Sequence, residues 1–83
     1  MRIEVEFNDS LVAYLPTDAE QHRAGVEVAE GSSVNAVLDY LAVPREKAHL
    51  VLLNGVFLRR RDRDWIELQD GDVIAVWPPA GGE

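Results

Sequence analysis

The chain has 83 residues, 47% of them hydrophobic and 28% charged, with a net charge of −7 and no cysteine. That size supports one small domain with a modest core and no deep internal active site, and the apolar content argues against disorder. The lack of cysteine excludes a disulfide framework, a thiolate zinc site and a thiol nucleophile, while the acidic balance disfavours nucleic acid and anionic membrane surfaces as partners.

Ile3, Val5 and Phe7 alternate with Arg2, Glu4 and Glu6, the pattern of a half-buried strand with one wet face. The same alternation puts charges where a signal peptide would be apolar. No apolar run approaches the roughly 20 residues of a membrane span, so a cytoplasmic location is expected. Asn8-Asp9-Ser10 breaks the strand. Leu11 to Leu15 fits either a short helical turn capped by Ser10 or a continued hairpin arm, and Pro16 ends it in both cases. Thr17 to Arg23 reads as loop, and His22 within it as a solvated side chain. Val26 and Val28 around Glu27 predict a second strand beside the first.

Gly31-Ser32-Ser33 opens the one well-marked helix. A serine cap precedes Val34, Val37, Leu38 and Leu41, an i, i+3, i+4, i+7 stripe. Asn35 and Asp39 are expected on its wet face, and Pro44 is expected to stop it near Ala42 and Val43. His49 to Leu53 is a nearly continuous apolar run suited to a central strand. Asn54-Gly55 is a strong hairpin signal, with Val56-Phe57-Leu58 as the returning arm. His49 has no second ligand at metal-binding spacing and is read as structural. Arg59-Arg60-Arg61-Asp62-Arg63-Asp64 holds four of the eight basic residues. It is read as a solvated loop whose charges Asp62 and Asp64 partly offset; the functional alternative is a patch for a phosphate or an acidic partner. Trp65, Ile66 and Leu68 are expected to bring the chain back onto the core.

Asp70-Gly71-Asp72 is a tight turn, Val73 to Trp77 a last apolar strand, and Pro78-Pro79 ends pairing because neither proline has an N–H to donate. The order strand, strand, helix, strand, strand, strand predicts an α+β domain of β-grasp type: a mixed sheet of four to five strands with one main helix packed across it, and at least one parallel pair. Residues 1–77 form this domain and residues 78–83 a tail. Two prolines favour an extended backbone, and Ala80-Gly81-Gly82 can thread a channel that any larger side chain would block. From Pro78 to Gly82 the tail reaches roughly 17 Å at about 3.4 Å per residue. Ala80 to Glu83 are expected to be disordered without a partner. Conventional catalysis has little support: the two histidines stand alone, no serine has a base nearby, and Gly81-Gly82 precedes no helix and so is no phosphate cradle. By elimination the distinctive chemical group is the terminal carboxyl end.

Asp70-Gly71-Asp72-Val73, an apolar strand, Trp77-Pro78-Pro79 and Gly81-Gly82 together resemble the small sulfur carriers of the MoaD/ThiS family. The aromatic-Pro-Pro element is closer to the molybdopterin synthase small subunit than to the thiamine carrier. Gly31-Ser32-Ser33-Val34 is similar to the family's helix start and Leu53-Asn54-Gly55 to its central hairpin, so the resemblance extends across the chain. It implies a protein substrate rather than an enzyme. An ATP-dependent, ubiquitin-activating-type enzyme would adenylate the terminal glycine, and a sulfur donor would convert it to a thiocarboxylate for molybdopterin or tungstopterin biosynthesis. The acyl site would be Gly82, with Gly81 beside it. Trp77, Pro78, Pro79, Ala80 and Phe57 would meet the partners: the activating enzyme and a large synthase subunit or other sulfur acceptor. No metal or resident cofactor is implied; ATP belongs to the activating enzyme. The sequence departs from the pattern in ending on Glu83, which keeps the Gly82 carboxyl in a peptide bond. Either a peptidase, such as a metallopeptidase, removes Glu83, or the protein does not carry sulfur. The alternatives are a ubiquitin-like interaction or modifier module and a carrier for thiamine or amino-acid sulfur.

Overall fold

A computed structural model of the chain describes residues 1–80. Five strands, β1 (Arg2–Phe7), β2 (Arg23–Glu27), β3 (Leu50–Leu53), β4 (Val56–Phe57) and β5 (Val73–Trp77), form one sheet in the order β2-β1-β5-β3-β4. One α-helix, α1 (Val34–Tyr40), joins β2 to β3. Strand β1 pairs antiparallel with β2 and parallel with β5, and β3 pairs antiparallel with both β5 and β4. This is the expected mixed α+β sheet. The parallel pair unites the first and last strands rather than the two strands flanking the helix. Strands β2 and β3 do run in the same direction, but β1 and β5 lie between them.

Alternation does what the sequence pattern requires. Ile3, Val5 and Phe7 of β1, Ile74 and Val76 of β5, and Val51 of β3 are buried together with Val34, Val37 and Leu38 of α1. Ser33 caps the helix, its hydroxyl accepting from the Ala36 N–H at 3.2 Å. The helix stops earlier than Pro44 alone would demand. Ala42 takes a left-handed φ of 63°, the Val43 N–H donates to the Leu38 carbonyl at 2.9 Å and the Ala42 N–H to that of Asp39 at 3.0 Å. That pair of bonds is a Schellman closure, with alanine where glycine is the usual occupant and Val43 sealing the apolar contact. Leu41 therefore sits at the cap, partly buried against the core rather than within it.

Other segments resolve or correct the expectations. Asp9–Tyr14 is a 3-10 turn, the helical alternative for that stretch, preceded by Asn8 rather than capped by Ser10. Strand β2 begins at Arg23, which the sequence placed in the loop, and ends at Glu27; Val28 stays attached through its N–H to the Met1 carbonyl. Asn35, expected on the wet face, is only 6% exposed. Its amide donates to the Asp64 carboxylate at 2.7 Å and its backbone N–H to the Arg63 carbonyl. The 58–68 segment thus covers a flank of the helix that its own periodicity leaves for water. Asn54 and Gly55 have φ of 53° and 84°, the geometry of a type I′ hairpin turn. The Asn54 side chain clamps this turn to the next, donating to Asp72 at 2.9 Å and accepting from the Val73 N–H at 2.9 Å.

Candidate functional site: the tail root and the open face

Strand β5 lies between two neighbours, and its end is held from both sides. The Val76 carbonyl accepts from the backbone and side-chain N–H groups of Asn8, each at 3.1 Å, and the Trp77 carbonyl accepts from the His49 N–H at 3.0 Å. His49 is thus structural through its backbone while its side chain is exposed. At Pro78 the donors end. Pro78 and Pro79 are half-exposed and Ala80 is exposed. Gly81 and Gly82, the acyl site implied by the resemblance, lie outside the described residues, as does Glu83. Of the tail residues expected to be disordered, only Ala80 falls within the described part.

The strand register places two of the implied partner residues, Phe57 and Trp77, on one face of the sheet. Trp77 pairs with Leu50, Ala75 with Leu52, and Leu52 with Phe57, and paired residues share a face. These residues alternate with the buried Val51, Ile74 and Val76, so they point away from α1. An apolar strip therefore runs across the open face from Phe57, which is 58% exposed, through Leu52 and Ala75 to Leu50 and Trp77 at the root of the tail. Phe57 and Trp77, distant in sequence, stand at its two ends. The β1–β2 half of the same face carries Arg2, Glu4, Glu6, Arg23 and Glu27, with Arg23 bonded to Glu4 at 2.8 Å. The sheet thus presents a charged half and an apolar half, and the tail leaves from the apolar one.

Among the described residues the chemistry of catalysis is thin. His22 lies 3.5 Å from Glu6, and no group of three or more metal-ligating side chains converges. A depression of about 730 Å³ over β1 and β2 is lined by Arg2, Glu4, Asp18, Glu20 and Arg23. Another of about 410 Å³ lies between β2 and α1, lined by Val28, Ala36, Val37 and Tyr40. Neither brings a nucleophile to a base.

The 59–65 loop departs from its sequence reading. Arg63 is not solvated: it is 3% exposed, and its guanidinium donates to the Ala48 carbonyl at 2.8 Å and the His49 carbonyl at 3.1 Å. Burial, with the charge of Arg60 adding to it, pulls the Arg63 pKa down from its ordinary value, though a guanidinium stays charged. Because His49 also holds Trp77, Arg63 stands one residue removed from the root of the tail. Trp65, expected on the core, is 68% exposed. Its indole N–H donates to Asp62 at 2.8 Å, so the polar end of the ring is satisfied outside the core, while Leu58 and Leu68 of the same loop are buried in it. In the sequence Arg63 is one arginine among four, and only the three-dimensional neighbours distinguish it.

The sequence matches the ThiS family over residues 5–82. The chain belongs to the ThiS family. This agrees with the resemblance to the MoaD/ThiS sulfur carriers read from the sequence. No curated protein matches it by sequence. Among solved structures it is similar to the thiamine biosynthesis protein ThiS of Geobacter metallireducens, at 25% identity and a TM-score of 0.65, with 100% of both chains covered. It is also similar to SAMP1 of Haloferax volcanii, at 21% identity and a TM-score of 0.68, again with 100% of both chains covered. A third is the complex of subunits 1 and 2 of the molybdopterin-converting factor from Helicobacter pylori, matched at 21% identity and a TM-score of 0.58 over 100% of both chains. These likenesses show the ubiquitin-like β-grasp fold. No helix among the described residues is long and apolar enough to cross a membrane.

Proposed function

We propose that this ThiS-family chain is a sulfur carrier acting at Gly82. Once Glu83 is removed, the Gly82 carboxylate attacks the α-phosphorus of ATP on an activating enzyme of ubiquitin-activating type, and pyrophosphate leaves. Hydrosulfide delivered by a sulfur donor then attacks the acyl carbon, AMP leaves, and the product is a thiocarboxylate. That group is delivered to a large synthase subunit in molybdopterin or tungstopterin biosynthesis. The observation that carries this reading is the sharp boundary at Trp77. The backbone is hydrogen-bonded on both sides up to that residue, and beyond it Pro-Pro and residues with little or no side chain follow.

The apolar strip from Phe57 to Trp77 gives a partner a surface on which to seat the domain while the tail is handled elsewhere. The family match ends at residue 82, which supports Gly82 rather than Glu83 as the working end. The Trp77-Pro78-Pro79 element favours molybdopterin over thiamine as the pathway, and the two-subunit complex from Helicobacter pylori supports a large subunit as the acceptor. Glycine at the reacting position leaves the acyl carbon unhindered. A second reading, an interaction or modifier module, keeps the same strip, which is formed entirely by residues that precede the tail.

The test compares two chains, one ending at Gly82 and one ending at Glu83, each incubated with activating enzyme and ATP. The first should form an acyl-adenylate and, with a sulfur donor, exchange one oxygen for sulfur by mass. The second should stay unreacted, since its terminal carboxylate is one residue too far out and a second carboxylate beside it repels the nucleotide phosphates. No adenylate on the Gly82-ended chain would leave the interaction module as the better reading.

A further inference from the structure

The loop between β4 and β5 leaves a basic, aromatic corner that the carrier reading does not use. The two acids within the 59–65 run, Asp62 and Asp64, are both occupied. Asp62 accepts the Trp65 indole N–H at 2.8 Å and the Arg59 Nε–H at 3.0 Å, while Asp64 accepts from Asn35 at the start of α1. Arg63 is turned inward. Arg60 and Arg61 are therefore exposed with no carboxylate within ion-pair distance among the described residues. Asp62 acts on Arg61 only from beyond contact distance, so neither guanidinium has the direct partner that the sequence run suggests.

The exposed tryptophan is held ready rather than left loose. A single carboxylate fixes its indole and orients Arg59 beside it, and that carboxylate sits in a 3-10 turn (Arg60–Asp62). Tryptophan and arginine are the residue types that dominate interface energies, and a side chain ordered before binding loses less entropy on binding. The corner is also tied to the tail end of the molecule through Arg63, His49 and Trp77.

We propose that Trp65, Arg59, Arg60 and Arg61 form a docking corner for an acidic segment of a partner protein. An apolar side chain of that segment would lie on the indole, and carboxylates on either side of it would meet the guanidinium groups. Charge complementarity selects an acidic partner. The rest of the chain selects against a long polyanion: at net charge −7 a nucleic-acid duplex would meet repulsion outside the corner, whereas a short peptide samples only charges within a Debye length of about 8–10 Å.

The experiment uses the full chain and needs neither activating enzyme nor tail chemistry, so it stands apart from the carrier test. The ¹⁵N-labelled protein is titrated with a peptide carrying three glutamates on each side of one leucine, and the Trp65 indole N–H resonance is followed. A saturable shift at Trp65, Arg60 and Arg61 is expected, weakened about tenfold or more by Trp65→Ala and abolished by Arg60→Glu with Arg61→Glu. Added salt should weaken it, and the glutamine version of the peptide should give no shift. All three substituted side chains are exposed, and an otherwise unchanged amide spectrum verifies the fold. Any of four results overturns the proposal: equal binding of the glutamine peptide, unchanged affinity in Trp65→Ala, tighter binding of duplex DNA than of the acidic peptide, or the same shifts on concentrating the protein alone, which would make a second copy the occupant.

Discussion

The two faces of this one sheet are built by the same strands and end in opposite states. On the covered face Ile74 and Val76 of β5 and Val51 of β3 are closed over by Val34, Val37 and Leu38. On the open face their immediate neighbours, Ala75, Trp77, Leu50 and Leu52, remain partly accessible and lead to the exposed Phe57. A chain this small has one modest core, and on the open face the apolar residues Phe57, Leu52, Ala75, Leu50 and Trp77 follow one another across three strands to the root of the tail. Contiguity is what separates an interaction surface from the scattered apolar exposure of any protein. The covered face holds the fold; the open face is where the proposed function seats a partner.

The largest effect should come from the covered face. Leu38→Ala is expected to destabilise the domain by about 2–5 kcal/mol through lost burial and a residual cavity, a large share of the stability of so small a protein. Chemical denaturation measures it, and an unchanged midpoint would show that the two faces do not differ as described. Arg63→Met tests the polar connection beneath the tail root. It strands the Ala48 and His49 carbonyls but relieves a buried charge, so a net loss of about 1–3 kcal/mol is expected, accompanied by shifts at His49 and Trp77 in the amide spectrum. Ala42→Gly should act in the other direction, adding about 0.5–1 kcal/mol by relieving the left-handed strain at the helix end.

Phe57→Ala sharpens the comparison from the open side. Stability should change by no more than about 0.5 kcal/mol, while binding of a large synthase subunit or activating enzyme falls. A substitution that destabilised the domain as much as Leu38→Ala would return Phe57 to the core. The smallest effect is a titration. Asp62 is held below the ordinary carboxyl value, chiefly by the Trp65 indole hydrogen bond and further by Arg59. A depressed carboxyl pKa contributes stability above the unfolded value of about 3.9 and loses it as pH falls through the folded one. The Trp65 indole resonance should therefore hold steady from neutral pH to about pH 5 and move only below about pH 4.

Much of this was legible in the sequence because the relevant signals are local. The two-residue period in Ile3, Val5 and Phe7, the serine cap before Val34, the Asn54-Gly55 corner and the prolines after Trp77 each reflect constraints within a few residues of chain. The sheet order was not legible, since the pairing of β1 with β5 joins residues almost seventy positions apart. The errors share that cause. Asn35 carries a wet-face label only until Asp64 and Arg63 pack beside it. Trp65 reads as core until Asp62 supplies its indole with a partner outside. Arg63 is indistinguishable from Arg60 and Arg61 until the Ala48 and His49 carbonyls are placed above it. The open face is half-legible: the family resemblance singles out Phe57 and Trp77 as partner residues, but Leu50, Leu52 and Ala75, which join them into one strip, read only as strand.

The most direct measurement of the central claim is the intact mass of the protein isolated from its native cells. The account predicts a population shorter by the Glu83 residue, part of it carrying one sulfur in place of one oxygen, with fragmentation placing the change on Gly82. A single species that retains Glu83 and holds no sulfur, in cells actively making the cofactor, would contradict it.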